Sequence, residues 1–289
     1  MTAATPLEQQ VRSILSSNRE DSYATQRKRG YALADAARTL HEKFGLQKWA
    51  NLGQKHVMAV VDQWKMDDRG RRGIEEKLSH LRWLVRKIGK ANLVPRTNAE
   101  LGVAPGPRHT RAGKTIPDEK FAAIVAAVSD ERVRMALLLG RYLGLRFREA
   151  MLFRPGRDFD GQRVWVKRGT KGGRPRYLFV HSDRQREVLA KAVALTGGGD
   201  ASLVPREVPT FEKWRQHCYR VLRAAGVGRG RDALFHDARR TYAVERLYGL
   251  GLRGMNPHRA AQLVARELGH GRTEILAWYV ADFNGTAAA

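Results

Sequence analysis

The segment G-L-R-F-R-E-A (144–150) lies where one apolar helical stretch ends and a new element begins. Gly144 ends the first helix and Leu145 resumes apolar packing, so Arg146 is expected at a sharp bend between buried elements. A guanidinium held in this way suits a phosphate, because its planar fork donates two parallel hydrogen bonds. Arg146 could instead only pair with Glu149, and this segment alone favours neither interpretation.

Around this bend the sequence predicts helices and one hairpin. Two apolar stretches with helical character, 118–128 and 131–143, precede the bend. After it, R-V-W-V-K-R (163–168) and P-R-Y-L-F-V (175–180) flank a glycine-rich turn, a pattern typical of a β-hairpin. The rest of the chain reads as helical, with glycine-rich breaks at 197–199, 226–230 and 249–254.

The first hundred residues form a separate helical pattern. Apolar residues recur there at helical spacing in three runs: Leu33, Ala37, Leu40 and Phe44; Val57, Val60, Val61 and Trp64; Leu78, Leu81, Val85 and Ile88. Residues 101–115 are rich in Pro and Gly and lack this periodicity. We therefore expect a helical domain over 1–100, a basic linker over 101–115 and a second domain over 116–289. The predicted fold class is mainly α with a small antiparallel β-sheet (α+β) in the C-terminal domain.

The charge is strongly positive in both parts of the chain. Lys and Arg number 53 against 29 Asp and Glu, a net charge of +24, with +11 in residues 1–115 and +13 in residues 116–289. Positive charge in both parts suits a protein that binds a polyanion from two sides. The affinity for a nucleic acid arises because neutralised phosphates release condensed counterions. A ribosome-associated protein or a merely basic surface would also account for the charge. Composition favours a nucleic acid partner and is silent on catalysis.

Cysteine content and hydropathy exclude other classes. A single cysteine, Cys218, rules out an intrachain disulfide framework and a multi-cysteine zinc site. No apolar run approaches membrane-spanning length, and the N-terminus lacks the apolar stretch of a secretory signal. We expect a cytoplasmic, nucleoid-associated protein of a bacterium that makes no membrane contact.

Two further segments carry candidate chemistry. In K-R-G-T-K-G-G-R-P-R (167–176), Lys171 lies at the hairpin tip and could protonate a departing oxygen, although a solvated basic turn is the simpler interpretation. In F-H-D-A-R-R-T-Y (235–242), His236 and Arg239 would project from one face of a helix. A core histidine beside a surface arginine would give the same pattern.

The last candidate segment is E-L-G-H-G-R-T-E-I-L-A-W-Y-V (267–280). Glycines flank His270 and break any continuous helix, and Thr273 is placed to cap a short helix that carries Tyr279. Taken alone, Trp278 and Tyr279 would be read as an aromatic packing pair.

Together these four segments resemble the catalytic domain of the tyrosine recombinases (phage integrases). The resemblance rests on G-L-R-x-x-E, the T-K-G-G lysine, the H-x-x-R pair, L-G-H and the tyrosine nine residues later, and covers about 116–285. H-D-A-R-R in place of the commoner H-D-L-R-H and the longer glycine-containing stretch 249–259 depart from the family pattern. The helical region before it resembles the family's SAM-like core-binding domain, so the resemblance implies a two-domain DNA clamp.

The resemblance also implies a role for each residue. Tyr279 would attack the scissile phosphate and form a 3′-phosphotyrosine, while Arg146, Arg239 and His270 stabilise the transition state. Lys171 would be the general acid and His236 the base that assists the tyrosine. No cofactor and no metal are expected. Ten basic residues are candidate DNA contacts: Arg27, Lys28, Arg29, Arg71, Arg72, Arg108, Arg111, Lys114, Arg174 and Arg176.

The implied activity is site-specific recombination of double-stranded DNA by a homotetramer on paired sites. We expect integration or excision of a mobile element, with an accessory DNA-bending protein as a further candidate partner. Three alternatives remain at this point: a type IB topoisomerase-like relaxation of DNA, a catalytically inactive DNA-binding protein, and a basic helical RNA-binding protein. The target sequence cannot be deduced from the chain.

Overall fold

The computed structural model describes residues 4–67, 70–103, 115–227 and 231–269, with the main chain alone for 231–233. The chain divides into two compact units, Met1–Thr110 and Arg111–Ala289. The division falls inside the stretch that the sequence predicts to be a linker. Within the described ranges, no helix is both long and apolar enough to span a membrane.

The first unit is a set of α-helices, as the sequence predicts. The helices are α1 (Pro6–Ser17), α2 (Tyr23–Phe44), α3 (Gln54–Met66) and α4 (Arg71–Lys87). Local sequence explains where they start: Thr5 and Glu8 form a capping box before α1, and the Ser22 side chain accepts the N–H of Thr25 at the start of α2. Short 3-10 turns lie at Trp49–Asn51 and Ala99–Leu101.

The predicted apolar runs form the core of this unit. Ten of the twelve predicted residues are buried, and the exceptions are Phe44, which is 40% exposed at the end of α2, and Ile88, which is partly buried. Buried indoles are hydrogen-bonded: Trp49 donates to the carbonyl of Leu7 at 3.0 Å. The unit therefore has its own packed interior.

The second unit is mainly helical with one hairpin, and the predicted fold class is confirmed. Its elements are α5 (Asp118–Ala127), α6 (Glu131–Leu143), α7 (Phe147–Leu152), α8 (Pro155–Asp158), β1 (Arg163–Val166), β2 (Arg176–Phe179), α9 (Asp183–Thr196), α10 (Phe211–Ala224), α11 (Arg231–Leu252) and α12 (Pro257–Leu268). A 3-10 turn at Lys171–Gly173 joins the strands.

The hairpin is antiparallel and half-buried. Val166 lies opposite Arg176 and Val164 opposite Leu178, and all four side chains face the interior. Trp165 and Tyr177 stack on the outer face, with ring centroids 5.7 Å apart. Alternation along β2 therefore directs Arg176 inward, together with Leu178.

The break predicted at 249–254 is present but begins later than its first glycine. Helix α11 continues through Gly249 and Gly251 as far as Leu252, and the chain turns only at Gly254, which has φ 76°. Leu250 is buried against residues of α12, so tertiary packing outweighs the low helix propensity of the two glycines. The break predicted at 197–199 is confirmed by three glycines with positive φ.

Gly144 joins α6 to the segment that carries Arg146. It ends α6 in the left-handed conformation, with φ 63°. A Cβ at this position would lie 2.5 Å from Cδ1 of Tyr242 in α11 and 2.9 Å from Cδ2 of Leu268 in α12. A glycine is therefore needed for both the backbone turn and the close approach of the two helices.

We predict that Gly144→Ala destabilises the second unit by about 2–4 kcal/mol, since a strained φ adds to overpacking. The matched control is Gly197→Ala, which has the same backbone conformation but no atom within 4 Å of the new Cβ, and it should cost about 1 kcal/mol. Calorimetric unfolding of the full chain measures both. Equal losses for the two variants would contradict the packing argument.

Candidate active site

Arg146 lies at the predicted bend, as the residue before the first turn of α7. Its N–H donates to Oε2 of Glu149 at 2.8 Å, and its Nη1 donates to Oε1 of the same carboxylate at 2.7 Å. The pairing with Glu149 that the sequence offered as an alternative is thus present. It does not remove Arg146 from solvent, because a fifth of the side chain is exposed.

Glu149 is fully buried and is surrounded by guanidinium groups. Besides Arg146, Arg176 donates from Nη1 to Oε1 at 2.8 Å and from Nη2 to Oε2 at 2.7 Å. Nη1 of Arg239 lies 3.5 Å from Oε2. Burial alone would raise the pKa of Glu149, but the hydrogen bonds and charges of the arginines, Arg176 foremost, lower it to about 2. The carboxylate is therefore ionised at neutral pH.

Arg239 is held by the ends of two helices. Its Nη1 donates to the carbonyl of Gly144 and its Nη2 to the carbonyl of Leu268. These bonds fix the plane of the guanidinium, which is 3% exposed. Arg146 and Arg239, which the sequence predicted as phosphate ligands, are thus brought together on one carboxylate.

The end of α12 is tied to the same cluster. Nε of Arg176 donates to the carbonyl of Glu267 at 2.6 Å. The Glu267 carboxylate accepts the phenol of Tyr242 at 2.9 Å and Nη2 of Arg246 at 3.0 Å. Burial, together with the charge of Glu267, raises the pKa of Tyr242, so this phenol remains a hydrogen-bond donor. These hydrogen bonds therefore hold the C-terminal end of α12, which is the last described part of the chain before His270.

Lys171 and His236 lie on exposed positions of the same unit. Lys171 is in the hairpin turn, and a Cβ on the preceding Gly169 would come within 2.8 Å of the carbonyl of Arg148, so the turn runs close to α7. His236 is on α11 one turn before Arg239, and the neighbouring Phe235 is buried. It lies beyond the first turn of α11, so the unpaired N–H groups of the helix start do not surround it.

Several predicted residues fall outside the described ranges. These are His270 and Tyr279 with the Thr273 cap, and Arg108, Arg111 and Lys114 of the linker. In the described parts of the chain, no group of three or more His, Cys, Asp or Glu side chains is placed to hold a metal.

Two of the predicted DNA contacts are buried instead. Arg29 pairs with Asp21 at 2.6 Å and stacks on Trp83, with its Cζ 4.0 Å from the ring centroid. Arg176 is bound within the arginine cluster described above. The exposed members of the described set are Arg27, Lys28, Arg72 and Arg174, while Arg71 is half-buried and pairs with Glu75.

Sequence reasoning missed the structural role of Arg176, Glu267 and Tyr242. The alternation of P-R-Y-L-F-V indicates that Arg176 shares a face with Leu178, and this signal could have identified it as inward-facing. Nothing local in the sequence indicates that Glu267 meets Tyr242, because the two residues lie on different helices.

We predict that Glu149→Gln destabilises the second unit by roughly 3–5 kcal/mol, because it leaves buried guanidinium groups without their counter-charge. The control is Glu187→Gln, which removes an exposed carboxylate paired with Arg184 and Lys191 and should change stability little. Calorimetric unfolding at pH 7 compares the two, and similar unfolding profiles would contradict the prediction.

The same carboxylate predicts an acid dependence. The folded pKa of about 2 lies below the ordinary value of 4.5, so the stabilisation is complete above pH 4.5 and is lost as the pH falls toward 2. Between pH 6 and pH 3, wild type should lose about 2 kcal/mol more than Glu149→Gln. Parallel stability curves for the two proteins over this range would contradict the assignment.

Residues 107–245, close to half of the chain, match the family model described as Integrase. A comparison with curated protein sequences gives no match.

Solved structures share the fold over nearly the whole chain. A lambda integrase dimer bound to a COC′ core site aligns with TM-score 0.66 and 17% identity, covering 95% of this chain and 75% of that one. A lambda integrase tetramer bound to a Holliday junction aligns with TM-score 0.62 and 17% identity, covering 92% and 77%. XerH bound to palindromic difH substrate aligns with TM-score 0.62 and 14% identity, covering 95% and 81%. Residues 107–245 thus match the integrase family model, and the described parts of the chain have the fold of these solved recombinases.

Proposed function

We propose that this protein is a site-specific DNA recombinase that cleaves and rejoins DNA through a 3′-phosphotyrosyl intermediate. The observation that carries the proposal is the fixed pair of guanidiniums, Arg146 on Oε1 and Arg239 beside Oε2 of the buried Glu149. Two rigid cations with fork geometry suit the two non-bridging oxygens of a phosphodiester. The integrase fold and family match support the same reading.

The proposed reaction is a transesterification. The phenolic oxygen of Tyr279 attacks phosphorus, the bond to the 5′-oxygen breaks, and the tyrosine becomes esterified to the 3′-phosphate. His236 takes up the phenol proton and Lys171 supplies a proton to the leaving 5′-oxygen. Arg146, Arg239 and His270 stabilise the charge on the pentavalent transition state. One phosphoester replaces another, so rejoining a new 5′-hydroxyl requires no nucleotide hydrolysis.

DNA binding would involve both units. The exposed Arg27 and Lys28 in the first unit, and Arg174 beside the hairpin turn, are candidate backbone contacts, together with Arg72, Arg108, Arg111 and Lys114. Phosphate contacts of this kind position the duplex without reading its sequence. By analogy with the lambda integrase tetramer on a Holliday junction, we propose that four copies pair two sites.

The biological role that we favour is integration or excision of a mobile element in a bacterium. The protein would act in the cytoplasm at the nucleoid, where its DNA substrate lies. The departures in the motif H-D-A-R-R and in the stretch 249–259 are the basis for preferring this role to a housekeeping resolvase.

The proposal predicts covalent capture of DNA. Purified protein is incubated with nicked suicide duplexes that contain a randomised central region. DNA that stays attached to the protein in detergent is then released with protease and sequenced. Wild type should yield a defined sequence that gives a covalent band on a denaturing gel. Tyr279→Phe should bind this duplex and form no covalent band, because the attacking oxygen is absent.

The control is Tyr248→Phe, which removes the hydroxyl of an exposed tyrosine on α11 and should cleave normally. A covalent band from Tyr279→Phe would contradict the nucleophile assignment. Failure of wild type to capture any sequence would contradict the proposed activity itself.

The acid role of Lys171 predicts a dependence on the leaving group. Lys171→Ala should slow cleavage of an ordinary duplex by about 10²–10⁴-fold. With a 5′-bridging phosphorothiolate the loss should fall below about tenfold, because a thiolate leaves without a proton far more readily than an alkoxide. Lys191→Ala, an exposed lysine paired with Glu187 on α9, is the control. An equal loss on both substrates would exclude Lys171 as the acid.

A further inference from the structure

Arg176 occupies an unusual place for a basic residue in a DNA-binding protein. It is on the inner face of the hairpin, opposite Val166 and beside Leu178, and only 7% of its side chain is exposed. A buried guanidinium is costly unless all its neighbours compensate it. Its position therefore reflects its partners in the interior.

The main partner is the carboxylate that also contacts the two catalytic arginines. Both terminal nitrogens of Arg176 bind Glu149, one on each oxygen, in the bidentate geometry that gives the strongest ion pairs. Arg146 contacts one of these oxygens and Arg239 lies near the other. Three guanidiniums and one carboxylate carry a net charge of +2, and Arg176 matches the negative charge of Glu149.

Removing the charge of Arg176 would change this balance. Glu149 would then be neutralised by Arg146 and Arg239, and the net charge of the cluster would fall to +1. In a buried site the attraction of a carboxylate for nearby guanidiniums is strong. The two catalytic arginines would be drawn toward Glu149 and would offer less positive charge to a phosphate.

We propose that Arg176 is a positioning residue that balances the charge of Glu149 and so reserves the charge of Arg146 and Arg239 for the scissile phosphate. This inference rests on the proposed recombinase function. A second contact agrees with it: Nε of Arg176 binds the carbonyl of Glu267, next to the Leu268 carbonyl that binds Arg239. Arg176 thus links the hairpin, on which it lies, to the end of α12 that also binds Arg239.

The test compares a charged with a neutral scissile group, using the duplex selected by covalent capture. One version carries the ordinary phosphate and the other a methylphosphonate, which lacks the negative charge. Arg176→Gln should slow formation of the covalent complex by about 10²-fold or more on phosphate, the scale of losing one stabilising group. On methylphosphonate the loss should be less than about tenfold. Arg176→Lys, which keeps the charge, should recover part of the rate.

The second arm is a double variant. Arg176→Gln combined with Glu149→Gln restores the net charge of +2, which then lies on Arg146 and Arg239. The double variant should therefore cleave the phosphate duplex at least about tenfold faster than Arg176→Gln alone, and a double-mutant cycle measures this coupling directly. Calorimetry confirms that each variant is folded at the assay temperature. If Arg176→Gln alone does not fold, Arg176→Lys carries the test, because it keeps the charge and loses the bidentate geometry: a rate within about tenfold of wild type is expected, and a loss of about 10²-fold or more would overturn the inference.

Three outcomes would overturn the inference, and a fourth would contradict the proposed function. Equal losses on phosphate and methylphosphonate, or a double variant no faster than Arg176→Gln, would overturn the inference in favour of a purely structural role. An unimpaired Arg176→Gln would overturn it as well. Absence of a covalent complex with wild type would instead contradict the proposed function, on which the inference depends.

Discussion

The second unit depends on one buried carboxylate that is surrounded by arginines. Glu149 is fully buried, yet it stays ionised because Arg146, Arg176 and Arg239 supply hydrogen bonds and positive charge. A lone carboxylate at this place would be unstable, and so would three guanidiniums without it. The carboxylate and the three arginines therefore have to be present together, and each of them fixes the geometry of the others.

This constraint brings distant parts of the chain together. The bend after α6 contributes Arg146 and Glu149, the hairpin contributes Arg176, and α11 contributes Arg239. The end of α12 joins through the carbonyls of Glu267 and Leu268. Gly144 permits α11 and α12 to approach the bend closely, and this close approach lets Arg239 and the end of α12 reach the charge cluster. Two cations held by so many elements are preorganised, which is what electrostatic catalysis requires.

Sequence patterns predicted the elements well where the information is local. The helix over 131–143 and the hairpin are as expected, since amphipathic periodicity and turn residues are short-range properties. The placement of the arginines is less predictable, because a positive charge by itself does not distinguish an exposed guanidinium from a buried one that has a partner. Arg29 shares a helix face with Ala32, Leu33 and Ala36, all buried, so phase along the element was the better guide. The partner of a buried arginine lies far away in sequence and cannot be read from a single chain.

The most direct measurement of the central claim is mass spectrometry of the covalent protein–DNA complex after digestion with trypsin and nuclease. We predict that the adduct lies on the tryptic peptide beginning at Thr273, where Tyr279 is the only tyrosine, and that it retains a 3′-linked phosphate while the other DNA end carries a free 5′-hydroxyl. An adduct on another residue, or a link to the 5′ end of the DNA, would contradict it.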